Sequence, residues 1–311
     1  MQEGIYLAFD VGGTSIKAGV IDSSGRIIEH TISEYPSKAN ESAVNIFDHF
    51  LQMAVDLLGL ADPEGQKRIA GIGYAFPGPF DYEQGISYIQ GLNKFDALYG
   101  MQVGEQLQKM MLLDTRLKDR IMPEFLLRFE NDASLFAIGE AHFGQAATFR
   151  KAVCLTLGTG IGSGFVESGK LIIQRDDVPA GGWVYAIPYR SSIADDYISR
   201  RGLLALASEQ GINLDGRDVK ELAESARAGE PSIQQLFDTF GERIEEALAT
   251  VLKTFNPDVI VLGGQISKSG ELFIPSFRRQ LIHKEIHASV VVSHDTLRST
   301  LMGIYHLLQE H

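Results

Sequence analysis

Apolar and polar positions alternate along this chain in two separate blocks of the same design. In the first, Ile5-Tyr6-Leu7-Ala8-Phe9 ends at Asp10, Val11-Gly12-Gly13-Thr14 interrupts, residues 16–21 resume the pattern, and Asp22-Ser23-Ser24-Gly25 leads into Arg26-Ile27-Ile28. Period-two patterning broken by glycine-rich turns predicts three short antiparallel strands. In the second block, Val153-Cys154-Leu155-Thr156-Leu157 is followed by Gly158-Thr159-Gly160-Ile161-Gly162. Gly164-Phe165-Val166, the turn Glu167-Ser168-Gly169-Lys170 and Leu171-Ile172-Ile173 complete it. The two blocks stand roughly 145 residues apart, far more than the repeat of a solenoid, which predicts two similar halves rather than an array.

Between and after these blocks the period changes. Val44, Phe47, Leu51, Ala54, Val55 and Leu58 give residues 43–60 helical spacing. A Pro63-Glu64-Gly65 breaker and a strand over 69–76 follow. Residues 125–129 read as a short strand ending in Glu130-Asn131-Asp132, and 133–140 have helix character, which puts Asp132 near a helix N-terminus. Residues 232–255 form a long amphipathic helix, 258–264 a buried strand running into a turn, and 297–308 a closing helix. The expected architecture is α/β, with 1–133 plus 296–311 forming one domain and 134–295 the other. No Gly/Ser-rich or Pro-rich linker divides them, so a shared hinge and cleft are expected.

Composition trims the list of functions. With 44% hydrophobic and 22% charged residues in 311, the chain has ample core and is not disordered. A single cysteine, Cys154, rules out an intrachain disulfide and a thiolate zinc cluster, and its apolar surroundings predict a buried thiol. Lys and Arg number 28 against 40 Asp and Glu, a net charge of -12 that disfavours nucleic acid. It does not disfavour a phosphorylated small molecule, because backbone amides and a metal can hold phosphate in an acidic protein. With no basic leader before the first strand and no unbroken apolar run near 18 residues, a cytoplasmic protein without membrane contact is expected.

Several motif readings fail on chemistry. Residues 164–170 match a Walker loop until Leu171 takes the place of the magnesium-binding hydroxyl, and the stretch leads into a strand rather than a helix. His283 and His287 lack a third ligand or a catalytic glutamate. No Gly-x-Ser-x-Gly elbow is present, and Gly158-x-Gly160-x-Gly162 has the wrong spacing for a dinucleotide fingerprint.

What survives is Asp10-x-Gly12-Gly13-Thr14-x-x-Lys17. An acid at a strand end meets two glycines, a hydroxyl and a cation in the next turn. Glycine lets phosphate approach backbone amides, Thr14 adds a donor, Lys17 adds charge, and Asp10 is suited to phosphate-bound Mg²⁺ through water. The same residues also suit a plain hairpin. Gly158, Thr159 and Gly160 occupy the equivalent turn of the second block, so two turns could hold one polyphosphate from two sides. Gly263-Gly264 suits a nucleoside passing close to the backbone, or an ordinary turn before a helix.

These motifs, in order, resemble the ROK family of sugar kinases and regulators, within the actin/Hsp70/hexokinase superfamily. Asp10 to Lys17 matches the first phosphate motif, Gly71-Ile-Gly-Tyr-Ala-Phe-Pro-Gly78-Pro-Phe-Asp81 the Pro-Gly sugar loop and Glu130-Asn-Asp-Ala133 the catalytic motif. Residues 157–162 match the second phosphate motif and Leu262-Gly-Gly264 the adenosine motif. The resemblance implies two ribonuclease-H-like domains with mixed sheets flanking a cleft, sugar and phosphate on the first and nucleotide on the second. It implies Asp132 as general base, with Gly78, Asn93, Asn131 and Asp195 at the sugar. ATP and Mg²⁺ are the implied cofactors, and a homodimer the implied assembly.

One stretch departs from the family. Where most members carry Gly-Glu-x-Gly-His, this chain has Gly181-Gly182-Trp183-Val184-Tyr185, so Gly182 replaces the sugar-binding Glu and Tyr185 the His. The cysteine segment that follows becomes Tyr189-Arg190-Ser191-Ser192-Ile193-Ala194-Asp195, so no structural zinc is expected, and Asp195 replaces the final Glu. Each lost hydrogen bond to sugar is worth on the order of 1 kcal/mol, so the sugar end is expected to be rebuilt. Trp183 and Tyr185 are suited either to stacking on sugar or to packing. The leading expectation is a hexose kinase using ATP, or polyphosphate as an alternative donor. A non-catalytic sugar sensor is the second, and a protein-directed ATPase of the Hsp70 or actin kind the third.

Overall fold

The computed structural model describes residues 4–310, and the chain divides into two compact units. The first runs to Leu135 and takes in the C-terminal segment from Thr300; the second is Phe136–Ser299.

The first unit begins with β1 (Gly4–Val11), β2 (Ser15–Asp22) and β3 (Ser33–Pro36), then α1 (Ala43–Ala61) and β4 (Arg68–Ala75). The two-residue strands β5 (Phe80–Asp81) and β6 (Ile86–Ser87), α2 (Val103–Leu113), β7 (Ile121–Glu130) and the start of α3 (Asp132–Phe143) follow. Its sheet has the order β3-β2-β1-β4-β7, antiparallel through β3-β2-β1 and parallel through β1-β4-β7. Rings stack across its parallel half, Phe9 on Tyr74 at 5.0 Å and Tyr74 on Phe129 at 5.1 Å. These rings belong to directly paired residues, so their stacking adds to the register of β1, β4 and β7.

The second unit comprises β8 (Lys151–Leu157), β9 (Ile161–Glu167), β10 (Lys170–Leu171), β11 (Pro188–Tyr189) and β12 (Ser192–Ile193). The helices α4 (Asp195–Ile198), α5 (Arg200–Glu209), α6 (Val219–Arg227) and α7 (Pro231–Phe255) come next. Then follow β13 (Val259–Gly263), α8 (Gly270–His283), β14 (Ser289–Val292) and α9 (Thr296–Leu307), whose later turns belong to the first unit. Its sheet, β10-β9-β8-β13-β14, repeats the first one's sequence of two antiparallel and two parallel pairings. The duplication seen in the sequence is thus a duplication of topology.

Some expectations need correction. The third strand is Ser33–Pro36, not Arg26-Ile27-Ile28, which contributes only the bridge Ile21 to Ile27. The cause is local: Asp22 Oδ1 accepts from the Ser24 and Arg26 amides, and the buried Thr31 hydroxyl accepts from Val20 N at 2.9 Å, a position a strand partner would otherwise fill. The strand expected over 171–173 is reduced to Lys170–Leu171, because Ile172 turns away after donating its amide to Phe165 O. Ser168 and Gly169, both at positive φ, make residues 164–170 a hairpin turn rather than a phosphate loop. His283 ends α8 and His287 lies beyond it, so the two do not share a helix face.

No unbroken apolar run crosses α1, yet by length and mean composition it is apolar enough to cross a membrane. Its apolar face, with Ile46, Phe50, Met53 and Leu57, is buried in the first unit's core, and Asp48, Gln52 and Asp56 line the exposed face. That is the pattern of a core helix. Against the other face of the sheet, α9 comes so near β4 that a Cβ on Gly73 would lie 2.3 Å from Ile304 Cγ2.

Candidate active site

In the first unit, β1 and β2 pair Asp10 directly with Lys17, and the turn between them is drawn tight by Gly12 N donating to Ser15 O at 3.0 Å. Ser37 anchors this turn from the end of β3, its hydroxyl donating to Gly13 O at 2.6 Å and its amide to Thr14 O at 3.1 Å. Gly13 and Thr14 are exposed, and their amides take no partner among the described residues. Two unpartnered amide donors beside a hydroxyl are suited to an anion.

The Asp10 carboxylate accepts no hydrogen bond among the described residues, and its pKa is pushed up to about 7 by burial and the nearby Asp132 charge, against the pull of Lys17. A crowded carboxylate with a like charge beside it and no donor is suited to a divalent cation. No group of three or more His, Cys, Asp or Glu among the described residues is placed to hold a metal by itself.

At the end of β7, Asn131 caps α3. Its Oδ1 accepts from Ala133 N at 3.0 Å and Ser134 N at 3.2 Å, which leaves its amide group facing the Tyr82 hydroxyl at 3.5 Å. Tyr82 donates to Phe76 O at 3.0 Å, and a Cβ on Gly78 would lie 3.3 Å from its hydroxyl, so the residue before the Pro-Gly pair and Asn131 are both held on one phenol. Asp132, expected near the helix N-terminus, is the first residue of α3, its Oδ1 accepting from Ala133 N at 2.9 Å. The Asp132 side chain is reachable by solvent, yet the desolvation imposed by surrounding protein raises its pKa, opposed by backbone amides and by the charge of Lys94. Glu130 is raised as well, chiefly by desolvation, while its Oε1 accepts from Asn131 N at 2.7 Å. Asn93 is exposed with φ of 52°, next to Lys94.

In the second unit the β8–β9 turn repeats the pattern. Gly158 N donates to Gly160 O at 3.0 Å, while Thr159 and Gly160 stand exposed. Asp195, which the resemblance puts at the sugar, sits beneath this turn: Oδ1 accepts from Ile161 N at 2.7 Å and Oδ2 pairs with Arg201 at 2.7 Å. Arg200 N holds Gly158 O from the same side at 2.8 Å. Gly264, at φ of 86°, adjoins the turn so closely that a Cβ would lie 2.4 Å from Leu157 O, and its amide donates to Thr296 Oγ1 at 2.9 Å. Gly263 is needed on packing grounds, since a Cβ there would lie 2.5 Å from the Phe136 ring. Gly182 is buried at φ of 73° with its carbonyl accepting from Ser163, and Trp183 and Tyr185 project as an exposed pair 6.2 Å apart.

The structure therefore gathers Asp10, Gly12, Gly13, Thr14, Lys17 and Asp132 in the first unit, with Asn131 and the backbone of Phe76, two residues before Gly78, both bonded to Tyr82. It gathers Gly158, Thr159, Gly160, Asp195 and Gly264 in the second. Tyr82, Lys94 and Arg201 escaped sequence reading because each is brought to the site by tertiary packing and not by motif spacing.

The ROK family model matches residues 6–311. A glucokinase of Thermotoga maritima is 27% identical, spanning 95% of this chain and 92% of its own. An N-acetyl-D-glucosamine kinase of Haemophilus influenzae is 27% identical over 86% of each chain. A ROK family glucokinase from Streptomyces griseus, solved with glucose and AMPPNP, superposes with a TM-score of 0.73 at 22% identity, covering 98% of this chain and 99% of that one. The fold is accordingly the α/β actin/hexokinase type with mixed sheets, and the chain belongs to the ROK family.

Proposed function

We propose that this protein transfers the γ-phosphoryl group of ATP to a hydroxyl of a hexose or hexose derivative. The observation that carries this reading is Asp132: a solvent-reachable carboxylate at the start of α3, raised in pKa, beside a cation-seeking Asp10 and the donor-rich Gly13-Thr14 turn. The sugar kinases among its relatives support it.

In this reading Asp132 accepts the proton of the attacking hydroxyl as the new O–P bond forms and the bond to the leaving ADP breaks. Its raised pKa makes the ionised form a stronger base than an ordinary aspartate. Asn131, its Oδ1 committed to the cap, offers its amide group to a neighbouring sugar hydroxyl, and Gly78 and Asn93 complete the sugar side. Gly13 and Thr14 hold phosphate oxygens on the first unit, and Gly158, Thr159 and Gly160 hold phosphates on the second, where Gly263-Gly264 admits the nucleoside. Asp10 would hold Mg²⁺ through water, and the bound ion supplies charge neutralisation on the phosphates. Asp195 acts by holding the second turn in shape.

Gly182 and Tyr185, in place of the usual sugar contacts, favour a second reading, a sugar sensor without turnover. An ADP-release assay across hexoses and N-acetylhexosamines, with ATP or polyphosphate as donor, separates the two. Sugar-dependent turnover is expected; sugar binding without ADP release would establish the sensor instead. Asp132→Asn is expected to keep nucleotide affinity within about threefold while turnover falls by about 10²-fold or more. Retained turnover would remove Asp132 from the role of base.

A further inference from the structure

Lys94 has no part in the chemistry above, yet the chain holds it with care. Its neighbours on both sides are non-glycine residues in left-handed backbone, Asn93 at φ of 52° and Phe95 at 55°. Such residues persist where surrounding contacts over-determine them. Here Phe95 is fully buried and donates its amide to Ala39 O at 2.6 Å, while Asp96 Oδ1 accepts from Leu92 N at 3.3 Å. The segment is pinned before and after Lys94, and the lysine itself is half-buried.

The stem of Lys94 lies over the first glycine turn. A Cβ on Gly13 would stand 3.3 Å from Lys94 Cδ and 3.8 Å from its Cβ, so glycine at 13 keeps the surface low enough for the methylenes to lie on it. A lysine that buries its stem in this way presents only its head. That head makes no hydrogen bond or ion pair among the described residues, and its charge acts on Asp132. The cation is thus carried on the anion-binding turn, within electrostatic reach of the base, and is neutralised by neither.

We propose that Lys94 is a catalytic residue, its ammonium contacting the phosphoryl group during transfer; this rests on the kinase reading above. The ammonium donates hydrogen bonds to an equatorial oxygen of the phosphoryl group as charge gathers there, and forms and breaks no covalent bond. The proton of the attacking hydroxyl still passes to Asp132, and the electron pair of the breaking P–O bond still leaves with ADP. An unneutralised cation fixed in advance needs no reorganisation at the moment of transfer, which is where such groups have their largest effect.

Lys94→Met tests this, because it keeps an apolar stem over Gly13 and removes only the charge. With the sugar that the wild type turns over, kcat is expected to fall by about 10²-fold or more, with sugar KM changed by less than about threefold and partial recovery in Lys94→Arg. Unchanged kcat with a raised sugar KM would overturn the proposal and assign Lys94 to an anionic substituent on the acceptor. Inorganic tripolyphosphate supplies a second measurement independent of turnover: calorimetry at low salt is expected to show its Kd weakened at least tenfold in Lys94→Met. An unchanged Kd would overturn the proposal as well. A wild type that phosphorylates no sugar would defeat the kinase reading alone, and the tripolyphosphate comparison would still decide whether Lys94 faces phosphate.

Discussion

Two carboxyl groups of the first unit, Asp10 and Asp132, have raised pKa values, and each is met by the charge of one lysine. Lys17 is the cross-strand neighbour of Asp10, and the charge of Lys94 acts on Asp132. The acid at 10 was legible in the sequence because a strand end and a glycine turn fix where it points. The division of labour between Asn131 and Asp132 was not, since either residue type caps a helix and only the observed bonds to Ala133 and Ser134 decide it. Burial has a measurable consequence at Asp10. Its folded pKa of about 7 lies above the unfolded value of 3.8, so the folded state binds the extra proton between those values. Metal-free stability conferred by this group is present below pH 4 and is lost as pH rises toward 7, with a ceiling of about 4 kcal/mol. Asp10→Asn should therefore raise the melting temperature of the metal-free protein at pH 8 while leaving it nearly unchanged at pH 4. A difference between variant and wild type that is the same at both pH values would show that Asp10 is not held in an unfavourable ionised state.

At the scale of elements, hairpins were readable because glycine and alternation mark both ends of each strand. The third strand was misplaced because a side chain, Thr31, supplies the acceptor that a strand would have supplied, and no period in the sequence announces that substitution. Glycines also carried a double meaning. Gly71 and Gly73 belong to a stretch that resembles a sugar loop, yet they lie on β4 under α9, where Leu308 and Ile304 press against the strand. β4 ends at Ala75, so only the residues after it leave the sheet. Gly73→Ala would place a methyl against Ile304 and is expected to destabilise by about 1–3 kcal/mol through overpacking. The cost should be much smaller in the background of Ile304→Ala, where the colliding group is gone, and denaturant melts of the four proteins in this cycle measure the coupling. Additive effects would show that β4 and α9 relieve the contact by moving apart.

For the molecule as a whole, the duplication is the feature that survives from sequence to sheet topology, and it divides the chemistry between units. In the proposed function the first carries the acids and the base, with Phe76 O and Asn131 both bonded to the Tyr82 hydroxyl; the second carries a glycine turn buttressed by Asp195 and Arg200, with Gly264 closing against Leu157. Their chemical difference follows from what lies beneath two similar turns: a cation-seeking aspartate under the first, and an aspartate already satisfied by Ile161 and Arg201 under the second. An acceptor and a donor nucleotide should accordingly leave separate marks. Hydrogen exchange with the acceptor sugar alone is expected to slow in residues 77–82 and 91–95 and at Asn131. A non-hydrolysable ATP analogue without sugar should instead slow exchange in 157–162 and at Gly264, because amides that hold phosphate are protected from solvent while bound. Protection of 77–82 by the nucleotide analogue, with none in 157–162, would reverse the assignment of sugar and nucleotide to the two units. It would also leave Asp195 as the structural support of a turn that binds no phosphate.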